Sequence, residues 1–89
     1  MNKITRGQIH LALACGDEKG AKNWASYDSP ADFIGIVPLI NSLERMLNAE
    51  EMLTGDLHTL LGDYGYGPDS GEEDNVDRFN ALLKLRVNY

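Results

Sequence analysis

The sequence predicts an all-α fold, a single domain spanning residues 1–89 and built as a small bundle of four to five helices. Three observations favour this class. Apolar residues recur at intervals of three and four, the spacing of amphipathic helices rather than strands. Helix-start residues precede several of these apolar segments. The length also allows only one small core, too little for a dinucleotide-binding fold.

The first helix is predicted to begin at Thr5. Thr5 and Gln8 have the spacing of a capping box, in which each side chain bonds the other residue's backbone amide. Gly16 is expected to end this helix, because glycine readily adopts the left-handed conformation found after helix ends. Asp17 is then expected to cap a second, short helix that stops near residues 26–28.

A third helix is predicted to begin at Pro30. Ser29 is a good capping residue, and proline suits the first helical position, where its missing amide has no cost. Pro38 cannot sit inside an unbroken helix, because it lacks the amide donor and its ring strikes the preceding turn. We therefore expect a kink or a restart near Val37.

From about residue 38 to residue 61 the spacing predicts one long central helix. Its apolar positions fall alternately four and three residues apart, and neighbouring residues widen the stripe. Two places where this helix could break are Asn48 with Glu51 and Gly55 with Asp56. We expect the stripe to organise the core, and its width makes it a candidate seam for a homodimer. The stripe comprises Leu39, Ile40, Leu43, Met46, Leu47, Leu53, Leu57, Leu60 and Leu61.

Residues 63–77 concentrate the acid of the chain. This segment holds six carboxylates and no Lys or Arg, so the whole formal charge of −6 lies in it. Its first part reads GDYGYGPDSG, which predicts a flexible acidic loop rich in glycine and tyrosine at residues 62–71, followed by a C-terminal helix. The candidate partner-binding residues are Asp63, Tyr64, Tyr66, Asp69, Glu72, Glu73, Asp74 and Asp77.

Helix capping offers a second interpretation of these acids. Carboxylates in a first helical turn are stabilised by the helix dipole, which accounts for the residues from Glu72 to Asp77 without any partner. The prediction of a contact surface therefore rests mainly on the glycine-rich half of the segment. The residues there are Asp63, Tyr64, Tyr66 and Asp69. Packing of the two tyrosine rings against the helices is the alternative to a role as partner anchors.

The charge balance, the length of the apolar runs and the cysteine count disfavour several classes of function. Acidic residues outnumber basic ones 14 to 8, which disfavours sequence-independent nucleic-acid binding and attachment to an anionic membrane surface. No apolar run approaches the ~20 residues that span a bilayer, and no signal peptide is visible. A single cysteine cannot form an internal disulfide. We expect a cytoplasmic location and no membrane.

The sequence also offers no constellation for catalysis, so we expect no enzyme activity, no metal and no cofactor. His10, His58 and Cys15 form no pair at the spacing of zinc ligands, and Cys15 is expected to be a small buried residue. The acids of residues 63–77 do not match a calcium-binding loop. The glycines of that segment would present carboxylates to a phosphate, which repel it.

The N-terminal segment supports an alternative function. Residues 8–16 have the pattern Q-x-x-L-A-x-x-x-G, which resembles the first half of the helix-turn-helix of phage repressor-type regulators, and Trp24 followed by Pro30 weakly continues it. The resemblance implies a DNA-binding regulator whose second helix enters the major groove. The residues that would then face the bases are Lys19, Lys22 and Asn23.

The favoured prediction is a non-catalytic acidic domain that binds another protein through residues 64–77. The partner is expected to have a basic surface. In size and acidity the chain looks like the small inhibitors that phages and mobile elements direct against host enzymes, including mimics of DNA charge. A third class, a small-ligand binder, would need a pocket between helices.

Overall fold

The computed structural model describes residues 3–29 and 35–87, and within these ranges it contains five helices and no strand. This confirms the all-α prediction. The helices are packed against one another: α1 contacts α2, α3 and α5, and α3, α4 and α5 contact each other. Their bounds are α1 Arg6–Leu13, α2 Glu18–Tyr27, α3 Ile36–Leu47, α4 Thr54–Asp63 and α5 Glu73–Val87.

The predicted capping box starts α1. The Thr5 amide donates to Oε1 of Gln8 over 2.8 Å, and the Gln8 amide donates to Oγ1 of Thr5 over 3.2 Å. Asp17 caps α2 as predicted, accepting a bond from the amide of Gly20. Both starts depend on residues within three positions of each other, so local chemistry is sufficient to specify them.

The end of α1 involves two residues in the left-handed region. Cys15 has a φ of 56° and Gly16 a φ of 87°, and their amides donate to the carbonyls of Ala12 and Leu11. This is the Schellman arrangement, with a cysteine at the position that glycine normally occupies. Gly16, which was predicted to end α1 by itself, therefore ends it together with Cys15.

The single long central helix was a wrong prediction, because α3 and α4 are separated by residues 48–53. Asn48 ends α3. Its side-chain nitrogen donates to the carbonyls of Glu44 and Ile4, and its side-chain oxygen accepts a hydrogen bond from the Ile4 amide over 2.7 Å. Arg86 donates to the Leu47 carbonyl over 2.8 Å. The last carbonyls of α3 thus find side-chain partners, which replaces the continued helix. Asn48 was one of the two predicted break points.

Pro38 produces no kink. It is the third residue of α3, within the first turn, where the missing amide would have no helical partner. Gly35 precedes the helix with a φ of 85°, so the restart predicted near Val37 begins at Ile36. The predicted start at Pro30 lies outside the described residues.

The leucine stripe forms the core of one chain. Because α3 and α4 are separate helices, most of its side chains meet inside one chain. The homodimer seam stays a prediction. Met46 and Leu60 are partly buried, and Leu53 is 68% exposed in the connection before α4. The fully buried members are Leu39, Ile40, Leu43, Leu47, Leu57 and Leu61, joined by Ile9, Leu13 and Leu82. Across residues 3–29 and 35–87, none of the helices is both long and apolar enough for a bilayer crossing.

Candidate protein-contact surface

The segment predicted as a flexible loop begins with an ordered helix end. Gly65 has a φ of 85°, its amide donates to the Gly62 carbonyl, and the next amide, of Tyr66, donates to the Leu61 carbonyl over 2.8 Å. These two bonds make a Schellman motif with glycine in its usual place. The backbone leaving α4 is therefore directed by Gly65 toward α2.

Tyr66 packs against the helices rather than pointing into solvent. Its ring lies edge-on to the Trp24 ring of α2, with centroids 5.3 Å apart. The following residue, Gly67, is buried, and a Cβ there would lie 3.1 Å from the Gly62 Cα. Of the two tyrosines predicted to contact a partner, Tyr64 is the more accessible, at 37% exposure.

Arg78 of α5 holds this turn in place, and the sequence reasoning missed it. Its guanidinium carbon lies 5.9 Å from the ring centroid of Trp24 and 5.7 Å from that of Tyr66, within range of a cation–π interaction. Its Nε donates to the Leu13 carbonyl over 2.7 Å, and Nη1 donates to Oδ1 of Asn75 over 2.6 Å. One side chain thus joins α1, α2, α5 and the turn.

The buried side of α5 includes a polar residue beside Arg78. Asn75 is buried and donates to Oγ of Ser70 over 2.8 Å, whereas Val76, next to it in the chain, is 41% exposed. Asn75 and Arg78 are spaced i, i+3, so they occupy one helix face together with Leu82. An arginine three residues after an asparagine, four residues before Leu82, was the available signal.

The carboxylates of the segment are all exposed. Within residues 3–29 and 35–87, none of them makes a salt bridge, although salt bridges do form elsewhere in the chain. Only Glu73 and Asp74 lie in the first turn of α5, where the helix dipole favours them. We call the six residues the acidic surface: Asp63, Asp69, Glu72, Glu73, Asp74 and Asp77.

Cys15 lies beside part of this acidic surface and is exposed, which corrects the expectation of a buried residue. Its thiol is 3.7 Å from the Asp74 carbonyl. Partial burial raises the pKa of Cys15, the charges of Asp77 and Asp74 raise it further, and Arg78 opposes them. The thiol is therefore less reactive than a free cysteine.

A second concentration of charge, between α1, α2 and α3, is paired throughout. Asp28 accepts two bonds from Arg6, at 2.9 and 2.6 Å, and lies 2.9 Å from Nε2 of His10. Arg6 also donates to Asn41 and Glu44. Burial acts to raise the pKa of Asp28, but the bonds from Arg6 and His10 outweigh it, so the pKa is lowered. We call these five residues the paired cluster.

The three residues of the alternative, DNA-binding prediction lie on α2. Lys19, Lys22 and Asn23 are all exposed, and α2 contributes no fully buried residue. Residues 14–17 connect α1 to α2, a four-residue turn containing glycine, as in helix-turn-helix units. The lysines therefore remain available to a ligand.

A cleft lies between α2, the beginning of α3 and the turn at residues 64–67. Its volume is about 250 Å³. Its walls are mostly apolar, and Tyr27, 49% exposed, stands at its edge. We call it the Trp24 cleft, and its lining includes Gly20, Asn23, Trp24, Tyr27, Ile36 and Tyr66.

The remaining candidates for chemistry have structural partners. His10 belongs to the paired cluster, and His58 lies edge-on to the ring of Phe79, with centroids 5.8 Å apart. In the part of the chain that the structure describes, no three His, Cys, Asp or Glu residues are arranged to hold a metal ion.

Comparison of the chain with protein-family models, with curated proteins and with solved structures finds no match.

Proposed function

We propose that this chain is a non-catalytic protein-binding domain whose acidic surface contacts a basic surface of another protein. One observation carries the proposal: six exposed carboxylates occur within fifteen residues, and none has an ion-pair partner among the described residues. The buried carboxylate of Asp28, by contrast, is paired twice.

The physical consequence of such a surface is electrostatic attraction over a distance. A cluster of like charges raises the local concentration of an oppositely charged partner and speeds encounter, and added salt weakens this effect. Helix capping accounts for Glu73 and Asp74 only, because the dipole acts within the first turn. Tyr64, beside Asp63, adds an exposed ring of the kind that anchors protein interfaces.

The class of partner that fits best is an enzyme with a basic groove for nucleic acid. Carboxylates on a small rigid domain would occupy that groove in place of phosphates, as an inhibitor of phage or mobile-element type does. This form of the proposal predicts that nucleic acid competes with the domain for its target. A target that binds the domain equally well when its groove is filled with DNA would exclude the DNA-mimic form.

The test is affinity capture from the source cell, identification of the partner by mass spectrometry, and measurement of its affinity for variants. Substitutions that neutralise four of the six carboxylates of the acidic surface are expected to weaken binding by at least about tenfold at low salt. They are Asp69→Asn, Glu72→Gln, Glu73→Gln and Asp74→Asn.

A matched control removes the same charge elsewhere. Its four carboxylates are exposed and lie outside residues 63–77. Binding by this control should stay close to that of the unaltered chain, and equal losses for both quadruple variants would contradict a specific acidic surface. The control substitutions are Glu18→Gln, Glu50→Gln, Glu51→Gln and Asp56→Asn.

A second candidate is a DNA-binding regulator that uses α2. The observation that favours it is the exposure of Lys19, Lys22 and Asn23 on a helix that follows α1 through a four-residue turn. A gel-shift at low salt tests it: retardation of DNA that is lost on Lys19→Ala with Lys22→Ala supports the regulator. Removal of Lys3 and Lys84 instead is the charge-matched control, and no retardation by the unaltered chain excludes this function.

A further inference from the structure

We propose that the Trp24 cleft receives one aromatic side chain of the partner, with basic residues of the partner following it along the acidic turn, which is the turn at residues 64–67 with the flanking Asp63 and Asp69. The inference rests on the proposed protein-binding function and adds the chemistry of the anchor residue. It commits to a single occupant, an aromatic ring next to lysine or arginine.

The size and lining of the cleft select this occupant. About 250 Å³ is less than the 300 to 1,000 Å³ typical of drug-sized ligands, and it suits one large side chain. Trp24 and Tyr66 present ring surfaces already fixed by Arg78, so little conformational entropy is lost when another ring packs on them. Tyr27, half exposed at the edge, would be covered on binding.

The charges near the Trp24 cleft determine which partner residues would lie beside the aromatic ring. Tyr66 lies between Asp63 and Asp69 in the chain, and Oδ1 of Asp69 is 3.0 Å from the position of a Cβ on Gly67. An exposed, unpaired carboxylate therefore lies next to the wall that Tyr66 provides.

On the α2 side the charges have the opposite sign. Lys19 and Lys22 immediately precede the lining residues Gly20 and Asn23. A complementary segment of the partner would thus place its lysine or arginine side chains on the side of the acidic turn, and not around the whole cleft. A short peptide with cations on one side of its ring reproduces this pattern.

The experiment uses Trp24, the only tryptophan of the chain, as a fluorescent reporter inside the cleft. The probe is Ac-Gly-Phe-Lys-Arg-amide, compared with Ac-Gly-Ala-Lys-Arg-amide and Ac-Gly-Phe-Glu-Glu-amide. We expect a saturable change in Trp24 emission with the first peptide. The alanine peptide should bind at least about tenfold more weakly, because it buries no aromatic ring. The acidic peptide should also bind more weakly, with a difference that shrinks as salt is added.

Two variants locate the binding. Tyr27→Ala removes an exposed wall of the cleft without opening the core and should weaken binding of the phenylalanine peptide by at least about threefold. Leu53→Ala, which removes an exposed apolar side chain elsewhere, should leave it unchanged. Equal affinity for the phenylalanine and alanine peptides, absence of binding, or indifference to Tyr27→Ala would each overturn the inference.

The two proposals can fail separately. A captured partner that is lost on neutralising the acidic surface but retained by Tyr27→Ala would keep the acidic surface and remove the aromatic anchor. Dependence of the partner on Tyr27 but not on the four carboxylates would remove the acidic surface instead.

Discussion

Asp28 and Asp69 both follow helices in the chain, but their carboxylates differ in burial and in bonding partners. The side chain of Asp28 is 3% exposed and accepts bonds from Arg6 and His10. Asp69 is exposed, and among the described residues no cation pairs with it. The same contrast separates the paired cluster from the acidic surface as a whole.

The difference shows how each group of charges affects the fold. A buried carboxylate without partners would carry a large desolvation penalty, so loss of a partner within the paired cluster weakens the packing of α1, α2 and α3. Exposed carboxylates keep their hydration, and their mutual repulsion is screened by salt. The proposed partner would therefore bind and leave the acidic surface without disturbing the core.

Asp28→Ala is expected to have the largest effect on the paired cluster. It leaves Arg6 and His10 without their shared acceptor, and we expect a loss of about 2 to 4 kcal/mol in the free energy of unfolding. Urea denaturation at neutral pH measures it. Asp69→Ala, the same substitution on the acidic surface, should stay within about 0.5 kcal/mol of the unaltered chain. Similar losses at the two sites would erase the contrast between them.

The order of the acidic turn is expected to depend on its backbone rather than on its charges. Gly65→Ala forces a side chain into the left-handed region and should cost about 1 to 2 kcal/mol. Gly62→Ala, three residues earlier and within α4, meets no atom within 4 Å and should stabilise the chain by up to about 1 kcal/mol. Thermal unfolding of the pair gives the comparison, and equal shifts would contradict the assigned helix end.

Acid should weaken the paired cluster through Asp28. The pKa of Asp28 is lower in the folded chain than in the unfolded chain. The stability from its pairing is therefore fully present above the unfolded-chain pKa and is lost as the pH falls from there through the folded-chain pKa. Denaturation between about pH 5 and about pH 2 is expected to show a steeper loss for the unaltered chain than for Asp28→Asn. This loss is smaller than that of Asp28→Ala, because a protonated carboxyl still accepts hydrogen bonds. Parallel pH profiles would assign the acid sensitivity to other residues.

The sequence predicted those parts of the fold that depend on neighbouring residues. Thr5 with Gln8, and Asp17 before α2, specify helix starts through contacts three residues apart. The break between α3 and α4 depends instead on Asn48 bonding Ile4, and on Arg86 bonding the Leu47 carbonyl. Partners 44 and 39 residues apart are set by tertiary packing, which a local pattern does not contain.

The candidate site divides along the same line. Exposure of the acidic residues was predictable, since unpaired carboxylates stay in water. The convergence of Trp24, Tyr66 and Arg78 was not, because it brings together two helices and a turn that are far apart in the sequence. For Tyr66 the sequence left a surface anchor and a ring packed against the helices as alternatives, and the fold shows the packed ring as a wall of the Trp24 cleft.

The smallest expected effect is on stability when the acidic surface is neutralised. In the quadruple variant, relief of repulsion stabilises the fold, whereas loss of the dipole interactions of Glu73 and Asp74 costs about 0.3 to 1 kcal/mol each. We expect a net change below about 1 kcal/mol, measured by urea denaturation at low and high salt. A loss as large as that of Asp28→Ala would mean that these carboxylates support the fold. A small change combined with weakened partner binding would separate binding from stability within the same four residues.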